Sequence, residues 1–421
     1  MSAFVSNLKV AILGFGTVGS SAARILCDLK PEGIELTHIY NRNIARKRAD
    51  WVPSTVQWTE DFEAVLNSGA NVLLELAGGL DPAGSWVRRA LEAGKSVVTA
   101  NKKLIALHGI ELEKLARSKN AHLRYGAAVA GGIPVIPGLQ HGLAGDQVTR
   151  IEGILNGTCN FILSKMEEGA EFAEVLKEAQ AHGYAEADPT EDVDGFDARA
   201  KLVILSRLAL RADIEQNEIP CRSIREVGAI DFAYARELDC TIRQIARAEL
   251  RGSDVLASVG PMLVPKASPL AWSHGTENTV LVGGRFGGDV VFSGHGAGGH
   301  PTAVAVVSDV IGIAHGSRAI DLPSKKTAIG GEFLLRHSIR FVVCDQPGII
   351  AEIALALAEQ GINIHAIFQK PGYGSDRLPF VVTVEPCAAS ALQRALARIG
   401  KMTCLLEKPF ELQMLEPEDR V

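Results

Sequence analysis

The most constraining feature of the chain is a strand, a glycine turn and a helix in direct succession near its amino terminus. Residues 8–13, LKVAIL, form a short apolar run that leads into GFGTVG and then into the helical segment SSAARILCDLK. Gly14, Gly16 and Gly19 fit GxGxxG, in which glycines let the main chain approach a pyrophosphate at a helix amino terminus. The pattern is weak alone, but a strand before it and a helix after it predict a dinucleotide site.

Strands and helices continue to alternate beyond this turn. The runs IELTHIYNR, NVLLEL and SVVTANK predict strands, and WVRRALEAGK predicts a helix between the last two. This alternation predicts an α/β fold, with a Rossmann domain built on a doubly wound parallel sheet at residues 1–138. Such sheets bind ligands at the carboxyl ends of their strands. The predicted cofactor contacts are Gly14, Phe15, Gly16, Thr17, Val18, Gly19, Asn41, Arg42, Ala77, Ala100, Lys102 and Gly298.

The alternation stops after residue 138, which indicates further domains. We predict a second, α+β domain at residues 139–298, containing strands such as SDVLASVGPMLV and NTVLVGG. A helix within residues 299–320 should return to the Rossmann domain, and residues 321–335 should form a linker. The tail, residues 336–421, has the pattern of a βαββαβ module and is consistent with an independent α+β sandwich.

Composition argues against several classes of protein. The 421 residues include 43 basic and 49 acidic side chains, for a net charge of -6, and no basic block that would follow a nucleic-acid backbone. No apolar stretch is long enough to span a bilayer, and the first residues do not resemble a secretory signal. Seven cysteines form no CxxC pair, so neither a zinc site nor a disulfide framework is indicated. We therefore expect a cytoplasmic protein that binds neither nucleic acid nor membrane.

The end of the second strand bears on the choice of cofactor. An acid there would hold the ribose 2′-hydroxyl of NAD(H), whereas an arginine can accept the 2′-phosphate of NADP(H). The residues are Asn41, Arg42 and Asn43, and the basic run at residues 46–48 follows. A solvated helix start would also explain that run. We predict that NADP(H) is preferred and that NAD(H) is an alternative.

An acidic loop precedes an apolar helical run at residues 183–205, GYAEADPTEDVDGFDARAKLVIL. Residues four apart share one face of a helix, so Asp197 and Lys201 should point together toward whatever the loop holds. A cationic group is the natural guest of such a loop. The alternative interpretation is a surface ion pair on an amphipathic helix, which is the commoner case.

At this point the chain resembles the homoserine dehydrogenase family. GFGTVG, VVTANK, AGGIPVI, GILNGTCNFIL, GYAEADPTEDVDGFDARAK and GAGGHPTA occur in that family's order, so the likeness covers about residues 8–320. The tail resembles the ACT amino-acid-sensing module of many bacterial members. No kinase-like segment precedes the glycine turn, so we expect no fusion to aspartate kinase.

The resemblance implies reversible, NAD(P)H-dependent reduction of L-aspartate 4-semialdehyde to L-homoserine, in threonine and methionine biosynthesis. It assigns Lys102 and Lys201 to positions beside the reacting oxygen; we assign Lys201 an electrostatic role with Asp197, and Lys102 the proton transfer. The residues implied to bind the amino-acid substrate are Glu186, Asp192, Thr158, Tyr184 and Gly157.

The chain departs from the family at Gly126. Members commonly carry a glutamate there that helps to hold a monovalent cation. The carbonyls of Val129, Gly131 and Ile133 remain as ligands, but loss of the charged one should weaken a sodium site considerably. We predict that sodium is absent or weakly held and that activity depends little on it.

The resemblance of the tail implies feedback control, with threonine as the leading effector. The residues implied to bind it are Asp345, Gly348, Asn363 and Gln369. The alternative is a dimerisation module that binds nothing. The family also implies a homodimer or homotetramer, and it implies that residues 139–298 form the catalytic domain and the dimer contact.

Two other functions remain open on sequence grounds. Another small-amino-acid dehydrogenase would leave NGTxN and the acidic loop without a reason. A catalytically weak sensor of dinucleotide and amino acid is supported only by Gly126 and the tail, and the five residues Glu186, Asp192, Asp197, Lys102 and Lys201 argue against it.

Overall fold

The computed structural model describes residues 7–317, 322–323 and 326–415. A six-stranded parallel sheet in the order β3-β2-β1-β4-β5-β6 forms the first part of the fold and confirms the predicted Rossmann sheet. The strands are β1 (Leu8–Leu13), β2 (Ile34–Tyr40), β3 (Gln57–Thr59), β4 (Val72–Glu75), β5 (Ser96–Thr99) and β6 (Leu123–Arg124). The helices are α1 (Thr17–Leu29), α2 (Ile44–Lys47), α3 (Phe62–Leu66), α4 (Ala83–Glu92) and α5 (Lys102–Ser118).

The strand order reverses beside β1, which pairs with β2 on one side and with β4 on the other. The last residue of β1, Leu13, lies between Tyr40 and Glu75. All four residues of β4 and of β5 are buried, as expected for parallel strands covered by helices on both faces. The reversal leaves a crevice at the carboxyl ends of these strands, where doubly wound folds bind ligands.

A second sheet of nine strands, in the order β11-β10-β7-β8-β9-β15-β12-β14-β13, runs through the remainder of the chain. Its first five members are β7 (Val148–Ile154), β8 (Cys240–Arg251), β9 (Asp254–Pro265), β10 (Glu277–Gly284) and β11 (Gly288–His295), which pair antiparallel. The helices are α6 (Val135–Pro137), α7 (Gly157–Glu167), α8 (Phe172–Ala181), α9 (Thr190–Val193), α10 (Phe196–Leu205), α11 (Ala229–Glu237) and α12 (Gly299–Ala314).

The tail contains the predicted βαββαβ order: β12 (Leu334–Val343), α13 (Ile349–Ala358), β13 (Ile364–Gln369), β14 (Leu378–Ala388), α14 (Ala389–Ile399) and β15 (Phe410–Met414). Its sheet is not separate, because β15 pairs in parallel with β9 through Gln413 opposite Met262 and Met414 opposite Leu263. Polar contacts with α11 hold the tail further, since Arg340 lies 3.0 Å from Asp231 and the Tyr234 hydroxyl donates to the Pro379 carbonyl. The predicted βαββαβ module is therefore confirmed, and its sheet continues into that of the middle domain.

Helix α12 packs on α1 of the Rossmann domain, and both contribute to one apolar core that includes Ala22, Ala23, Ala303 and Val306. The predicted linker, residues 321–335, falls partly outside the described residues, and the proposed domain limits stay a prediction. No helix in residues 7–317, 322–323 and 326–415 is long and apolar enough to cross a membrane.

Candidate active site

The glycine turn between β1 and α1 needs its glycines for different reasons. Gly14 has a φ of +104°, and a Cβ there would lie 2.8 Å from the Ala77 nitrogen. A Cβ on Gly19 would lie 2.0 Å from the Gly14 carbonyl oxygen, so the turn and α1 could not pack so closely. A Cβ on Gly16 would meet nothing within 4 Å. The main chain at Gly16 is thus open to a ligand.

A groove of about 520 Å³ lies over this turn. Six of the predicted cofactor contacts line it: Gly14, Phe15, Gly16, Asn41, Arg42 and Ala77. The lining also includes Arg46 and Lys47, two further cations beside the end of β2. The other six predicted contacts, Thr17, Val18, Gly19, Ala100, Lys102 and Gly298, are not among its lining residues.

Gly298 lies near the glycine turn because it precedes α12, and the start of α12 packs against α1. Gly298 has a φ of +112°, and a Cβ on the next residue, Gly299, would lie 2.9 Å from the Thr17 Cγ2 atom. The amino termini of α12 and α1 therefore meet beside the glycine turn. Two helix amino termini together favour an anionic group.

A buried acid, Glu75, shapes the opposite wall and was missed by sequence reasoning. Its carboxylate accepts hydrogen bonds from the Ala77 and Gly78 nitrogens, at 3.0 and 2.9 Å, and from the Thr99 hydroxyl at 2.6 Å. These bonds fix the loop after β4 against β5. The available signal was an acid at the end of the apolar run NVLLEL, where burial requires partners.

The second part of the site is a carboxylate between two lysines. Asp197 is 4% exposed, and its Oδ2 atom lies 2.7 Å from the Lys201 Nζ atom, one helical turn along α10. Its Oδ1 atom pairs with Lys102 at the start of α5. Lys201 also donates to the Leu155 carbonyl at 2.5 Å, just beyond β7. Helices from two domains thus bring their lysines to one buried acid.

Lys102 reaches this acid because α5 begins at the carboxyl end of β5. The Asn101 side chain caps α5 by accepting from the Leu104 nitrogen at 3.1 Å, and it donates to the Gly79 carbonyl at 2.5 Å. The cap therefore fixes the helix start against the loop that lines the nucleotide groove. The lysine cluster and the groove share the same edge of the parallel sheet.

Burial and charge separate the pKa values of the two lysines. Burial lowers the pKa of Lys201 below its ordinary value, and the Asp197 carboxylate only partly offsets this. Burial acts in the same direction on Lys102, but Asp197 together with Asp192 and Glu191 outweighs it, so the pKa of Lys102 is raised. For Asp197, burial opposes ionisation, yet the two ammonium groups hold its pKa well below the ordinary range. The cluster therefore carries a charged carboxylate and two lysines of different acidity.

Asp192 lies beside this cluster on α9. The Asn156 amide nitrogen donates to the Asp192 Oδ1 atom at 2.7 Å and to the Asp197 Oδ2 atom at 2.9 Å. The Asn156 carbonyl oxygen accepts from the Cys159 nitrogen at 2.8 Å and so caps α7. Burial raises the pKa of Asp192 above its ordinary value. An ammonium group of a ligand would favour the ionised form of this carboxylate.

The remaining predicted substrate contacts differ in their surroundings. The Thr158 hydroxyl donates to the Tyr184 carbonyl at 2.7 Å and ties α7 to the acidic loop. A Cβ on Gly157 would lie 2.7 Å from the Thr276 carbonyl oxygen, so the helix start packs closely against the end of the middle sheet. Glu186 is exposed, and its carboxylate makes no hydrogen bond or ion pair within the described part of the chain. The role of Glu186 as a substrate contact stays a prediction.

Comparisons with known proteins agree over most of the chain. The family profile described as homoserine dehydrogenase matches residues 134–311, that of the homoserine dehydrogenase NAD binding domain matches residues 14–126, and that of the ACT domain matches residues 337–402. The chain is 36% identical to the homoserine dehydrogenase of Neisseria gonorrhoeae over 429 residues, covering 97% of this chain and 98% of that protein. The chain belongs to the homoserine dehydrogenase family.

Solved structures support this assignment. A homoserine dehydrogenase from Thiobacillus denitrificans matches with a TM-score of 0.88 and 32% identity, covering 97% of this chain and 98% of that one. A hyperthermophilic archaeal homoserine dehydrogenase in complex with NADPH matches with a TM-score of 0.62 and 29% identity, over 72% of this chain and 97% of that one. The resemblance inferred from the motifs is confirmed.

At the position of the family's glutamate, this homoserine dehydrogenase homologue places a carboxylate from another helix. The Gly126 nitrogen donates to the Asp309 Oδ2 atom at 2.7 Å, and a Cβ on Gly126 would lie 2.9 Å from the same oxygen. Burial raises the pKa of Asp309 to about 6. Asp309, on α12, carried no signal in the sequence, because only the docking of α12 brings it to Gly126.

The predicted backbone ligands for a cation lie in the following loop. Ala130 and Gly131 have φ values of +57° and +51°, and the Ile133 carbonyl already accepts from the Val135 nitrogen at 2.8 Å. No group of three or more His, Cys, Asp or Glu side chains suited to a metal occurs among the residues that the structure describes. The sodium prediction is not tested by these observations.

The four predicted effector residues of the ACT domain are exposed. Asp345 and Gly348 lie in the turn between β12 and α13, and Gly348 has a φ of +98° at the start of that helix. Asn363 precedes β13, and Gln369 ends it. No hydrogen bond or ion pair joins these side chains in the described ranges. Their role in binding an effector stays a prediction.

Proposed function

We propose that the protein catalyses the reversible reduction of L-aspartate 4-semialdehyde to L-homoserine, with NADPH as the preferred reductant. The observation that carries the proposal is the Asp197 carboxylate held between Lys102 and Lys201 at the sheet edge that also carries the nucleotide groove. A carbonyl reduction needs a proton donor beside the hydride donor, and this edge offers both. Family membership supports the same substrate class.

The nicotinamide supplies the hydride when it is bound, and the chain must manage the charge on the oxygen. As that charge develops, an ammonium within hydrogen-bond reach stabilises it and can deliver a proton. Lys102 is the proposed donor, because it is the more exposed of the two lysines, at 35% against 11%. Lys201 and Asp197 hold the local charge.

Single alanine variants test this division of roles. Lys102→Ala should remove proton transfer and with it a solvent isotope effect on turnover, whereas Lys201→Ala should lower turnover through lost electrostatic stabilisation. Full activity of Lys102→Ala would overturn the assignment of Lys102.

The substrate's amino group is proposed to bind at Asp192. That carboxylate lies next to the lysine cluster, and one of its oxygens is already oriented by Asn156. Glu186, exposed on the same acidic loop, is proposed to supply a second carboxylate, with Thr158 fixing the loop through Tyr184. Burial of an ammonium without such partners would cost several kcal/mol.

NADP(H) preference is proposed from the end of β2. Arg42, Arg46 and Lys47 line the groove there, and a related archaeal enzyme has been solved with NADPH. Arg42→Ala should raise KM for NADP⁺ and leave KM for NAD⁺ nearly unchanged, since only NADP⁺ carries the 2′-phosphate. An equal loss with both cofactors would assign Arg42 to the shared part of the nucleotide.

The test of the activity is homoserine oxidation by purified protein, with NADP⁺ and NAD⁺ in parallel and with Lys201→Ala as the control. Reduction of cofactor that requires homoserine and disappears in the control supports the proposal. Protein that binds NADPH but turns over neither cofactor would overturn it.

Threonine in the same assay tests feedback control. We propose that the ACT domain binds threonine and favours a less active arrangement, which requires differential affinity for the two arrangements. Inhibition that is lost in Gly348→Val, with basal activity retained, supports this role. We also propose that the protein is a homodimer or homotetramer and is located in the cytoplasm. Light scattering of the purified protein measures the size of the oligomer.

A further inference from the structure

The Asn156 side chain uses all of its hydrogen-bonding groups in the site. Its carbonyl oxygen faces the Cys159 main-chain nitrogen, which can only donate, so its amide nitrogen must face the two acids. The two amide hydrogens then go to different carboxylates, Asp192 at 2.7 Å and Asp197 at 2.9 Å. Asn156 is 4% exposed, so water does not compete for these bonds.

This arrangement joins three segments that are remote in sequence. Asn156 follows β7, Asp192 lies on α9, and Asp197 lies on α10. Without a donor between them, the two carboxylates would face each other in a poorly solvated space, where like charges raise one another's pKa values. An amide there separates two negative charges with a donor to each.

We propose that Asn156 is a positioning residue that keeps Asp192 and Asp197 together as carboxylates, so that the ammonium-binding acid and the lysine-binding acid act as one unit. The proposal rests on the proposed function for its meaning in catalysis. It extends the role of Asn156 beyond capping α7, the only role that its position at the start of a helix indicates.

The groups that face this pair come from every neighbouring element. Lys102 from α5 and Lys201 from α10 act on both acids, and the Cys159 thiol of α7 donates to the Asp192 carbonyl at 3.1 Å. Lys103 pairs with Glu191 at 3.0 Å, so that lysine is engaged nearby rather than on Asp192. Burial already raises the pKa of Asp192. A third carboxylate in this setting would face two others, so its pKa should be raised above the ordinary value.

The variant Asn156→Asp distinguishes the two roles, because capping and positioning predict opposite changes of its relative stability with pH. An ionised aspartate is as good a helix cap as asparagine, so a residue that only caps would make this variant more stable relative to the wild type as the pH rises. If Asn156 positions the two acids, the introduced carboxyl group is tolerated only when protonated, and the variant loses stability relative to the wild type with rising pH. Asn156→Ser is the matched control, because serine keeps a cap but adds no charge.

The experiment measures the unfolding midpoint of the wild type, Asn156→Asp and Asn156→Ser across pH 4 to pH 8. The expected result is a difference between Asn156→Asp and wild type that grows more negative with pH, and a difference of the same sign but smaller for Asn156→Ser, which removes the donor without adding a charge. A difference for Asn156→Asp that is constant or grows more positive overturns the proposal. This arm requires no substrate, so it is decided even if the proposed function fails.

The second arm measures kcat/KM for homoserine as a ratio to wild type at each pH, which cancels the wild type's own ionisations. Asn156→Ser should lose about 10- to 100-fold at every pH, the scale of hydrogen bonds to charged groups. Asn156→Asp should lose least at low pH, where the introduced carboxyl group is protonated and can donate to one carboxylate, and progressively more as the pH rises. Equal, pH-independent losses in both variants would overturn the positioning role, and an inactive wild type would overturn the proposed function alone.

Discussion

Two regions of the molecule bury one carboxylate between two cationic side chains. In the candidate active site, Asp197 lies between Lys102 and Lys201. Where the tail joins the middle domain, Glu411 of β15 lies 2.7 Å from both the Arg222 Nη1 and the His337 Nδ1 atoms. Both acids are 4% exposed, so burial of an ion pair does not by itself mark a catalytic site.

The difference lies in the cations and in what surrounds them. The lysines differ in pKa and stand at the edge of a parallel sheet beside a nucleotide groove. The junction uses an arginine, which stays charged, and a fully buried histidine on a central strand, β12. Proton transfer requires a group that can lose its proton and reach a ligand. The first cluster satisfies this requirement, and the second serves to hold two parts of the chain together.

Replacing a cation in each cluster gives the largest contrast. Lys201→Met should lower kcat/KM for homoserine by about 10³-fold, because an ammonium no longer stabilises the developing charge. Arg222→Met should change kcat/KM by less than about threefold, since the Arg222 guanidinium pairs with Glu411 at the junction and not with the lysine cluster. Steady-state kinetics without threonine measures both, and a comparable loss in the two variants would break the distinction.

Replacing the two carboxylates should affect stability in the opposite order to activity. The junction variant should lose more unfolding free energy than the active-site variant. Glu411→Gln removes the negative charge that faces a buried histidine and an arginine, and it should lower the free energy of unfolding by about 3–5 kcal/mol. Asp197→Asn should cost less, because Lys201, whose pKa is already lowered, can shed its proton. Urea denaturation at neutral pH compares them, and a larger cost for Asp197→Asn would contradict this view of the junction.

The junction should also make stability depend on pH in the alkaline range. Burial opposes protonation of His337, but its bonds to the Cys387 carbonyl and Glu411 raise its pKa from 6.5 to about 9. The folded state therefore binds the proton more tightly, and this contribution is complete below pH 6.5 and is lost as the pH rises through 9. It is on the order of 3 kcal/mol. The free energy of unfolding should fall over this interval in the wild type and much less in His337→Gln, and equal slopes would exclude His337 as the cause.

The smallest predicted effect concerns Gly126. A Cβ there would lie 2.9 Å from the Asp309 carboxylate, so Gly126→Ala should lower the free energy of unfolding by about 1–3 kcal/mol. Gly126→Glu should be less stable still, because it adds a second acid beside Asp309. Thermal unfolding of both variants checks this, and a stabilised Gly126→Glu would show that the site accepts the family's glutamate.

Sodium dependence is the companion test at that site. Replacing sodium by choline at constant ionic strength should change wild-type kcat/KM by less than about twofold, as expected for a weak or absent cation site. A strong requirement for sodium would show that the carbonyls of Val129, Gly131 and Ile133 suffice.

The sequence determined those features that depend on local backbone geometry. The glycine turn after β1 was predictable because GxGxxG constrains φ angles and close approaches within a few residues, and the βαββαβ order of the tail followed from its hydrophobic pattern. Asp197 and Lys201 could be paired because a helix places residues four apart on one face.

Only the tertiary structure decided which remote segments meet. The second partner of Asp197 comes from another domain, Asn156 joins two acids on different helices, and Asp309 fills the place beside Gly126 because α12 docks there. The pairing of β15 with β9 likewise depends on how two sheets align. Periodicity along a chain specifies which face of an element is apolar or charged, but the partner of that face is chosen by packing and by the cost of burying charge without compensation.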